Sequence, residues 1–350
     1  MKFKFEELKI GPGHPVFIIA EAGVNHNGSM KLAFELIDAA VEAGASAVKF
    51  QSFKTENIVT KKSPKSTYHV RTTGDSNVQT WYDLLKSQEL SKVQHYELFE
   101  YCASKNIEFM STPYDEDSVD LLEELGVRLL KVASTDTSNI PFLKYIAAKK
   151  IPTILSSAMA EFEEVKMAVS VFSDVNTEHA ILQCTGNYPA KIENSNLKVI
   201  ETYMKSFNCP VGYSDHTLEV INPITATALG AMIYEKHFTL DKDLPGPDHQ
   251  MSITPQELSI MVQNIRMTEL SLGDGIKCVV DEEIENRQKL RKSLVAITPI
   301  QKGEIISDQM IGIKRPANGV QPKDLDKVIG KVAASEIEID EVITLDKVIN

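Results

Sequence analysis

The sequence predicts an α/β chain: a (β/α)8 barrel followed by a small β-rich domain. Three observations carry that reading. Short, almost purely apolar segments alternate with amphipathic helical stretches, eight such segments occur in order between residues 16 and 238, and the alternation stops after about residue 275. Near-continuous apolar strands belong to parallel sheets, because crossover helices cover both faces. Eight such units in roughly 260 residues fit a closed barrel better than an open doubly wound sheet.

The first predicted strand covers 16–20. Ser29 is placed to cap the next helix, Ala33, Leu36, Ile37, Ala40 and Val41 share one face of it, and Gly44 ends it. Further strands are predicted at 47–51, at 107–112 after a helix opened by Ser91, and at 128–134 after a helix closed by Gly126. The last four are 152–157, 179–185, 210–214 and 232–238. Residues 1–13 are expected to form a hairpin over the barrel floor, completing a first domain of residues 1–278. The run at 279–291 places Asp281, Glu282, Glu283 and Glu285 before Arg287, Lys289 and Arg291, which reads as a solvated helix or linker. With the linker set at 279–292, residues 293–350 form the second domain, with β-rich pieces at 293–297, 303–306, 311–314 and 342–345. A domain of that size needs support from a neighbour.

Composition narrows the function classes. The 350 residues carry 37 basic and 49 acidic side chains, a formal charge of −12, which argues against a nucleic-acid backbone binder. A hydrophobic share of 43% with 25% charged residues is that of a core-forming protein. No segment reaches the ~20 unbroken apolar residues of a membrane span; the nearest, 220–234, is broken by Asn222, Pro223 and threonines. The N-terminus has an acidic pair where a signal peptide needs an apolar stretch. Cys102, Cys184, Cys209 and Cys278 lie far apart without a CxxC, so a reducing cytoplasm is the expected compartment. No glycine-rich phosphate loop of the GxGxxG or GxxxxGK[ST] kind is present.

A barrel delivers its chemistry at the C-terminal ends of its strands. There the sequence places Glu21, Lys49, Gln51, Ser111, Thr112, Lys131, Ser134, Ser156 and Ser157. The later strands add Thr185, Asn187, Tyr188, Ser214, Asp215, His216, Glu235, Lys236 and His237. A lysine in a buried strand costs several kcal/mol unless it is paired. Lys49 or Lys131 alone would be as well explained by an internal carboxylate partner. Together with Thr112, Ser134 and Ser156 they suit a phosphate dianion. His216 and His237 end adjacent strands, close enough to share one divalent metal with positions left open for water and substrate. His14, His69, His95 and His179 read as structural, while His26 and His249 stay open between structure and function.

The stretches IAEAGVNHNG (19–28), VKFQSFK (48–54), GYSDHT (212–217), EKHFTLD (235–241), GPDH (246–249) and KRPANG (314–319) resemble the sialic acid synthase family. That family condenses phosphoenolpyruvate with an N-acylated hexosamine and water to give a nine-carbon nonulosonic acid and phosphate. Its members join a TIM barrel to a C-terminal antifreeze-like (SAF) domain. The resemblance implies that Lys49, Gln51, Thr112, Lys131, Ser134, Ser156 and Ser214 hold phosphoenolpyruvate. It implies manganese or magnesium on His216 and His237, polarising the sugar aldehyde while C3 of phosphoenolpyruvate attacks it. Glu21 matches a glutamate that orients water and handles its protons. Asp136, Tyr188 and Asp248 match positions near the sugar. Arg315 matches an arginine carried by the C-terminal domain into the partner's barrel, so a homodimer is implied.

Three positions depart from the family pattern. Ser134-Thr135-Asp136 stands where Ser-Gly-Glu is common, Ser156-Ser157-Ala158-Met159 where Ser-Thr-Gly-Met is frequent, and Gly186 where a side-chain donor usually follows Cys-Thr. The long polar loop 55–80, with Tyr68, His69, Arg71 and Asn77, is expected to cover the sugar pocket. Its texture leans toward bacterial enzymes that accept a 2,4-diacetamido-2,4,6-trideoxyhexose, with N-acetylmannosamine and a pseudaminate precursor as alternatives. Two other readings compete: a phosphoenolpyruvate-dependent synthase acting on a phosphorylated aldose, and a non-catalytic carbohydrate-binding protein.

Overall fold

A computed structural model describes residues 5–73 and 80–349, so Asn77 of the polar loop lies outside the described residues. The chain divides into two compact units, Met1–Gly273 and Asp274–Asn350. In the first, strands β1 (Phe17–Gly23), β2 (Ala47–Ser52), β3 (Glu108–Pro113), β4 (Leu130–Val132), β5 (Thr153–Ser156), β6 (His179–Cys184), β7 (Val211–Asp215) and β8 (Ile233–His237) close a barrel in sequence order. Neighbouring strands run parallel, including the closing pair β1–β8. Helices bridge them as the sequence punctuates them: Ser29 Oγ accepts from Leu32 N at the start of Met30–Ala43, and Gly44 ends that helix with φ of 80°.

Side chains alternate across a strand, so each strand offers one set of residues to the helices and one to the barrel interior. Ile18, Val48, Phe109, Leu130, Leu155, Ile181 and Tyr234 pack outward in the large core shared with the helices. Phe17, Ile19, Ala47, Met110, Leu129, Ile154, Leu182 and Ile233 form a separate inner cluster that also takes in Phe5 and Ile10. The described part of the N-terminal segment holds a 3-10 turn, Glu6–Leu8, and no strand; its buried Phe5 and Ile10 fill the inner core from below. The same inward parity, continued to the C-terminal strand ends, turns Glu21, Lys49, Thr112, Lys131, Ser156, Cys184 and Glu235 into the barrel mouth.

Two strands differ from expectation. β1 runs on to Gly23, which places Glu21 inside the ladder, in register with Lys49 on β2 and His237 on β8. β4 stops at Val132, because Ser134–Asp136 tightens into a 3-10 turn whose Ser134 Oγ accepts from Ala158 N at 3.0 Å.

In the second unit, β9 (Ser293–Ala296) pairs antiparallel with β10 (Ile311–Lys314), and β11 (Val332–Ala333) with β12 (Val348–Ile349). Isolated bridges at Ile305 and Val342 replace longer strands there. Leu294, Ala296, Ile300, Val328, Ile337 and Ile343 form its core. The charged run folds as helix Asp281–Leu290 with no buried residue, acidic in its first turn and basic in its last, as the helix dipole favours. Among the described residues no helix is long and apolar enough to cross a membrane.

On the outward side of β7 and β8, Lys236 Nζ lies 2.8 Å from Asp215 Oδ2, which also accepts from the Tyr234 hydroxyl at 2.6 Å. Thr217 N and Oγ1 donate to Asp215 Oδ1 at 2.9 and 2.8 Å. Burial alone would raise the Asp215 carboxyl, but Lys236 and these donors hold it below the ordinary aspartate value. Lys236→Ala leaves that carboxylate buried and unpaired, so urea unfolding of the barrel should show a loss of about 3–5 kcal/mol. A Lys236→Met/Asp215→Leu double variant should lose much less.

Candidate active site

Four charged side chains meet inside the barrel mouth. Lys49 Nζ lies 2.7 Å from Glu21 Oε2 and 3.8 Å from Glu235 Oε2, and donates to Thr112 Oγ1 at 2.7 Å. Lys131 Nζ lies 3.6 Å from Glu235 Oε1 and donates to Val132 O at 3.1 Å. Ser214 Oγ donates to Glu235 Oε1 at 2.8 Å, and Gln51 Nε2 to Glu21 Oε1 at 3.4 Å. All four ionic groups are buried.

The two carboxylates are driven apart in acidity. Burial pushes Glu21 up to about 7, with Lys49 opposing the rise and Glu235 adding to it. Burial acts on Glu235 in the same sense, but Lys131, Lys49 and the Ser214 hydroxyl outweigh it and hold Glu235 well below the usual glutamate range. Lys131 is pulled down by burial against the attraction of Glu235. Ser156 Oγ, on the inward face of β5, is buried without a hydrogen-bond partner among the described residues. Two ammoniums, three hydroxyls and an amide are thus gathered at the barrel mouth, a donor set for a phosphate or carboxylate.

The histidines stand beside this cluster, with ring centroids of His216 and His237 5.6 Å apart. His216 Nδ1 sits 2.8 Å from Thr185 O, so that nitrogen carries the proton and Nε2 keeps its lone pair. His237 Nδ1 is buried with no hydrogen-bond partner among the described residues. Burial keeps both rings neutral, His216 being pulled down to about 4 and His237 well below its ordinary value. Two neutral imidazoles, one with an orphaned nitrogen, fit a divalent cation. No group of three or more His, Cys, Asp or Glu side chains poised for a metal occurs among the described residues, so other ligands would come from water or substrate.

Around the rim, Tyr188 packs 4.3 Å from His216 and 6.1 Å from His237, centroid to centroid. Burial raises Asp248 to about 6, and Tyr68, Tyr114 and Tyr188 all feel its charge. Asp136 is half-buried in the turn after β4, accepting from Asn139 Nδ2 at 3.0 Å. Glu21, Lys49, Gln51, Thr112, Lys131, Ser156, Ser214, His216 and His237 therefore converge, with Ser134, Asp136, Tyr188 and Asp248 on the loops beyond. Arg315 belongs to the second unit, exposed after β10 beside a cis Arg315–Pro316 peptide.

Sequence reasoning placed Glu235 at a strand end without giving it a role, and passed over Tyr114. Glu235 holds both lysines, and its signal was parity: it precedes His237 by two positions and so shares its inward face, whereas Lys236 faces out. Tyr114 lies within electrostatic reach of Glu21, Asp248, Asp136 and Glu235, and nothing in its local sequence marks it.

The NeuB family profile matches residues 36–277, and that of the SAF domain residues 291–349. This chain belongs to the NeuB family. It is 43% identical to N,N'-diacetyllegionaminic acid synthase of Legionella pneumophila over 91% of each chain. It is also 43% identical to the Campylobacter jejuni protein of the same name, over 93% of this chain and 98% of that one. Among solved structures, N-acetylneuraminic acid synthetase of Leptospira borgpetersenii matches with a TM-score of 0.70 at 36% identity, covering 79% of this chain and 92% of that one. As a NeuB-family synthase with an SAF domain, the protein is a phosphoenolpyruvate-dependent enzyme that extends an N-acylated hexosamine to a nine-carbon acid.

Three further histidines of this NeuB barrel, His26, His95 and His249, are held in place by hydrogen bonds. His26 Nδ1 accepts from Gly28 N at 3.0 Å, and His249 bridges Thr239 Oγ1 at 2.6 Å and Asn27 Oδ1 at 3.2 Å. His95 joins Ser52 Oγ at 2.7 Å and Ser91 O at 2.9 Å. Burial lowers His26 and His249 from 6.5 to about 4 and pulls His95 down as well. Between those values the unfolded chain binds protons that the folded chain refuses, so acid favours unfolding. Urea midpoints should fall as pH drops from 6.5 toward 4, and His249→Gln should make that slope shallower.

Proposed function

We propose that this NeuB-family synthase uses a 2,4-diacetamido-2,4,6-trideoxyhexose as acceptor and produces an N,N'-diacetyllegionaminic-type acid. The buried lysine–hydroxyl cradle beside two neutral histidines carries the chemical part of this reading. The naming of both relatives at 43% identity supports the choice of sugar.

Lys49, Lys131, Gln51, Thr112, Ser134, Ser156 and Ser214 bind the phosphate and carboxylate of phosphoenolpyruvate. Bringing these anions into a site that already holds two desolvated ammoniums fixes C3 toward the acceptor. A C–C bond forms between C3 and the aldehyde carbon of the open-chain sugar as the C2=C3 and C=O π bonds open; C2 is left cationic, and the aldehyde oxygen takes its proton from the neutral form of Glu21. Water adds to the cationic C2, giving its proton to Glu21. The C2–O bond to phosphate then breaks, its electron pair leaving with phosphate and the C2 hydroxyl proton passing to that phosphate, which leaves a ketone and free phosphate. A carboxyl poised near neutrality suits that exchange, because it can take up and return a proton at the working pH.

His216 and His237 would hold manganese or magnesium, which when bound supplies Lewis-acid polarisation of the sugar carbonyl. Tyr188, Asp248 and Asp136 contact the sugar. Arg315 reaches the partner's barrel in a homodimer that works in the cytoplasm; its exposure and its lack of an ion pair among the described residues support that reading.

A phosphate-release assay with phosphoenolpyruvate tests the proposal. The diacetamido-trideoxyhexose should be the best acceptor, ahead of N-acetylmannosamine; preference for N-acetylmannosamine 6-phosphate would favour the phosphorylated-acceptor reading instead. Chelation should abolish release and added Mn²⁺ restore it, whereas His237→Ala should stay inactive with metal and lose Mn²⁺ binding by calorimetry.

A further inference from the structure

We infer that Tyr68 is a specificity-determining residue, its ring forming with Tyr188 an aromatic notch beside Asp248 that takes the second acetamido group of the acceptor. The inference rests on the acceptor reading above and deepens it. Tyr68 belongs to helix Thr67–Thr73, far in sequence from the other rim residues. Its ring centroid lies 6.3 Å from that of Tyr188, with the planes inclined by 34°. Tyr188 in turn packs on His216. An unbroken aromatic path thus runs from this helix to the histidine pair. The Tyr68 hydroxyl is buried beside the Met251 backbone, and Asp248 lies within electrostatic reach.

Tyr68 is also fixed in place. The adjacent His69 ring stacks on Trp81 with centroids 4.2 Å apart and planes 12° from parallel. The Arg71 guanidinium covers the Tyr68 ring at 5.5 Å. Thr72 and Thr73 hydroxyls donate back to the Tyr68 and His69 carbonyls at 3.3 and 2.6 Å. The ring therefore serves as a preformed wall rather than a side chain ordered only on binding, which lowers the entropy cost of recognition.

The two candidate acceptors differ where such a wall can read them. N-acetylmannosamine carries hydroxyls at C4 and C6, where the trideoxy sugar carries an acetamide and a methyl group. A flat acetamide stacks on a phenol face and can donate its N–H to the Asp248 carboxylate. A hydroxyl in its place leaves the notch partly filled. Apolar walls of this kind discriminate by about 10- to 100-fold.

The test is kcat/KM for both acceptors, by phosphate release, in the wild type, Tyr68→Ala and Tyr68→Phe. Tyr68→Ala should lower the preference for the diacetamido sugar by about 10- to 100-fold, mainly through its KM, with the KM for phosphoenolpyruvate unchanged. Tyr68→Phe should keep the preference, because the ring rather than the hydroxyl faces the acceptor. An equal loss for both acceptors, a shifted KM for phosphoenolpyruvate, or an unaltered preference in Tyr68→Ala would each overturn the inference while leaving the acceptor reading intact. A wild type that turns over only N-acetylmannosamine would remove both.

Discussion

The site is organised around a charge balance inside a closed barrel: Lys49 and Lys131 against Glu21 and Glu235. Removing an ion from water costs several kcal/mol even after relaxation, so none of the four could stay charged there alone. Each lysine needs a carboxylate within a few ångströms, and the barrel supplies them from strands that are neighbours only because β8 closes on β1. Glu21 can face Lys49 on one side and His237 on the other because β1 lies between their strands in register. An open sheet would leave β1 and β8 at opposite edges and divide the cluster. Barrel closure is thus a condition of the chemistry as well as of the fold.

That balance also explains why an acidic protein can bind a multiply charged anion. The ammoniums are already desolvated, and an entering phosphate competes with carboxylates rather than with bulk water. Glu21 is the partner most easily displaced, since burial has pushed its carboxyl to about 7 and a neutral Glu21 releases Lys49. Glu235, held ionised by both lysines and by Ser214, keeps the ammoniums positioned meanwhile. Two glutamates of the same chemistry therefore divide the work, one able to exchange a proton and one fixed as a counter-ion.

Much of this was legible from residue pattern, and the misses share a cause. The eight strands could be read because a buried parallel strand is an apolar run with few exceptions, and Lys49 and Lys131 stood out as such exceptions. Glu235 did not, because Glu235-Lys236-His237 is uniformly polar and only the inward parity of alternate residues separates the lysine, paired with Asp215, from the two that face the site. The early end of β4 was hidden because Ala133 and Ser134 carry no breaker of their own; the 3-10 turn whose serine bonds across to another loop ends the strand. Asp248 and Asp136 were accessible only through family resemblance, and Tyr188, placed just past β6 by the barrel pattern, gained a role only through it: they lie on loops, where spacing carries no direction. Tyr114 and the contact of Tyr68 with Tyr188 depend on loop conformation that no periodicity encodes.

Around the ends of β5 and β6, a missing donor lies near one that is already available. Gly186 offers no side chain where a donor to phosphate would be expected. A Cβ built there would lie 2.9 Å from Met159 Cγ and 3.3 Å from Ala158 Cβ, so any larger residue must displace the methionine. Met159 in turn adopts a left-handed backbone with φ of 63°, a conformation that a non-glycine residue holds only when its surroundings enforce it. Met159 is nevertheless 71% exposed, so its thioether can swing toward solvent to admit a larger residue at 186. A polar side chain at 186 would have to push that thioether aside first, whereas the hydroxyl of Ser156 lies buried and unpartnered among the described residues, already available to the anion.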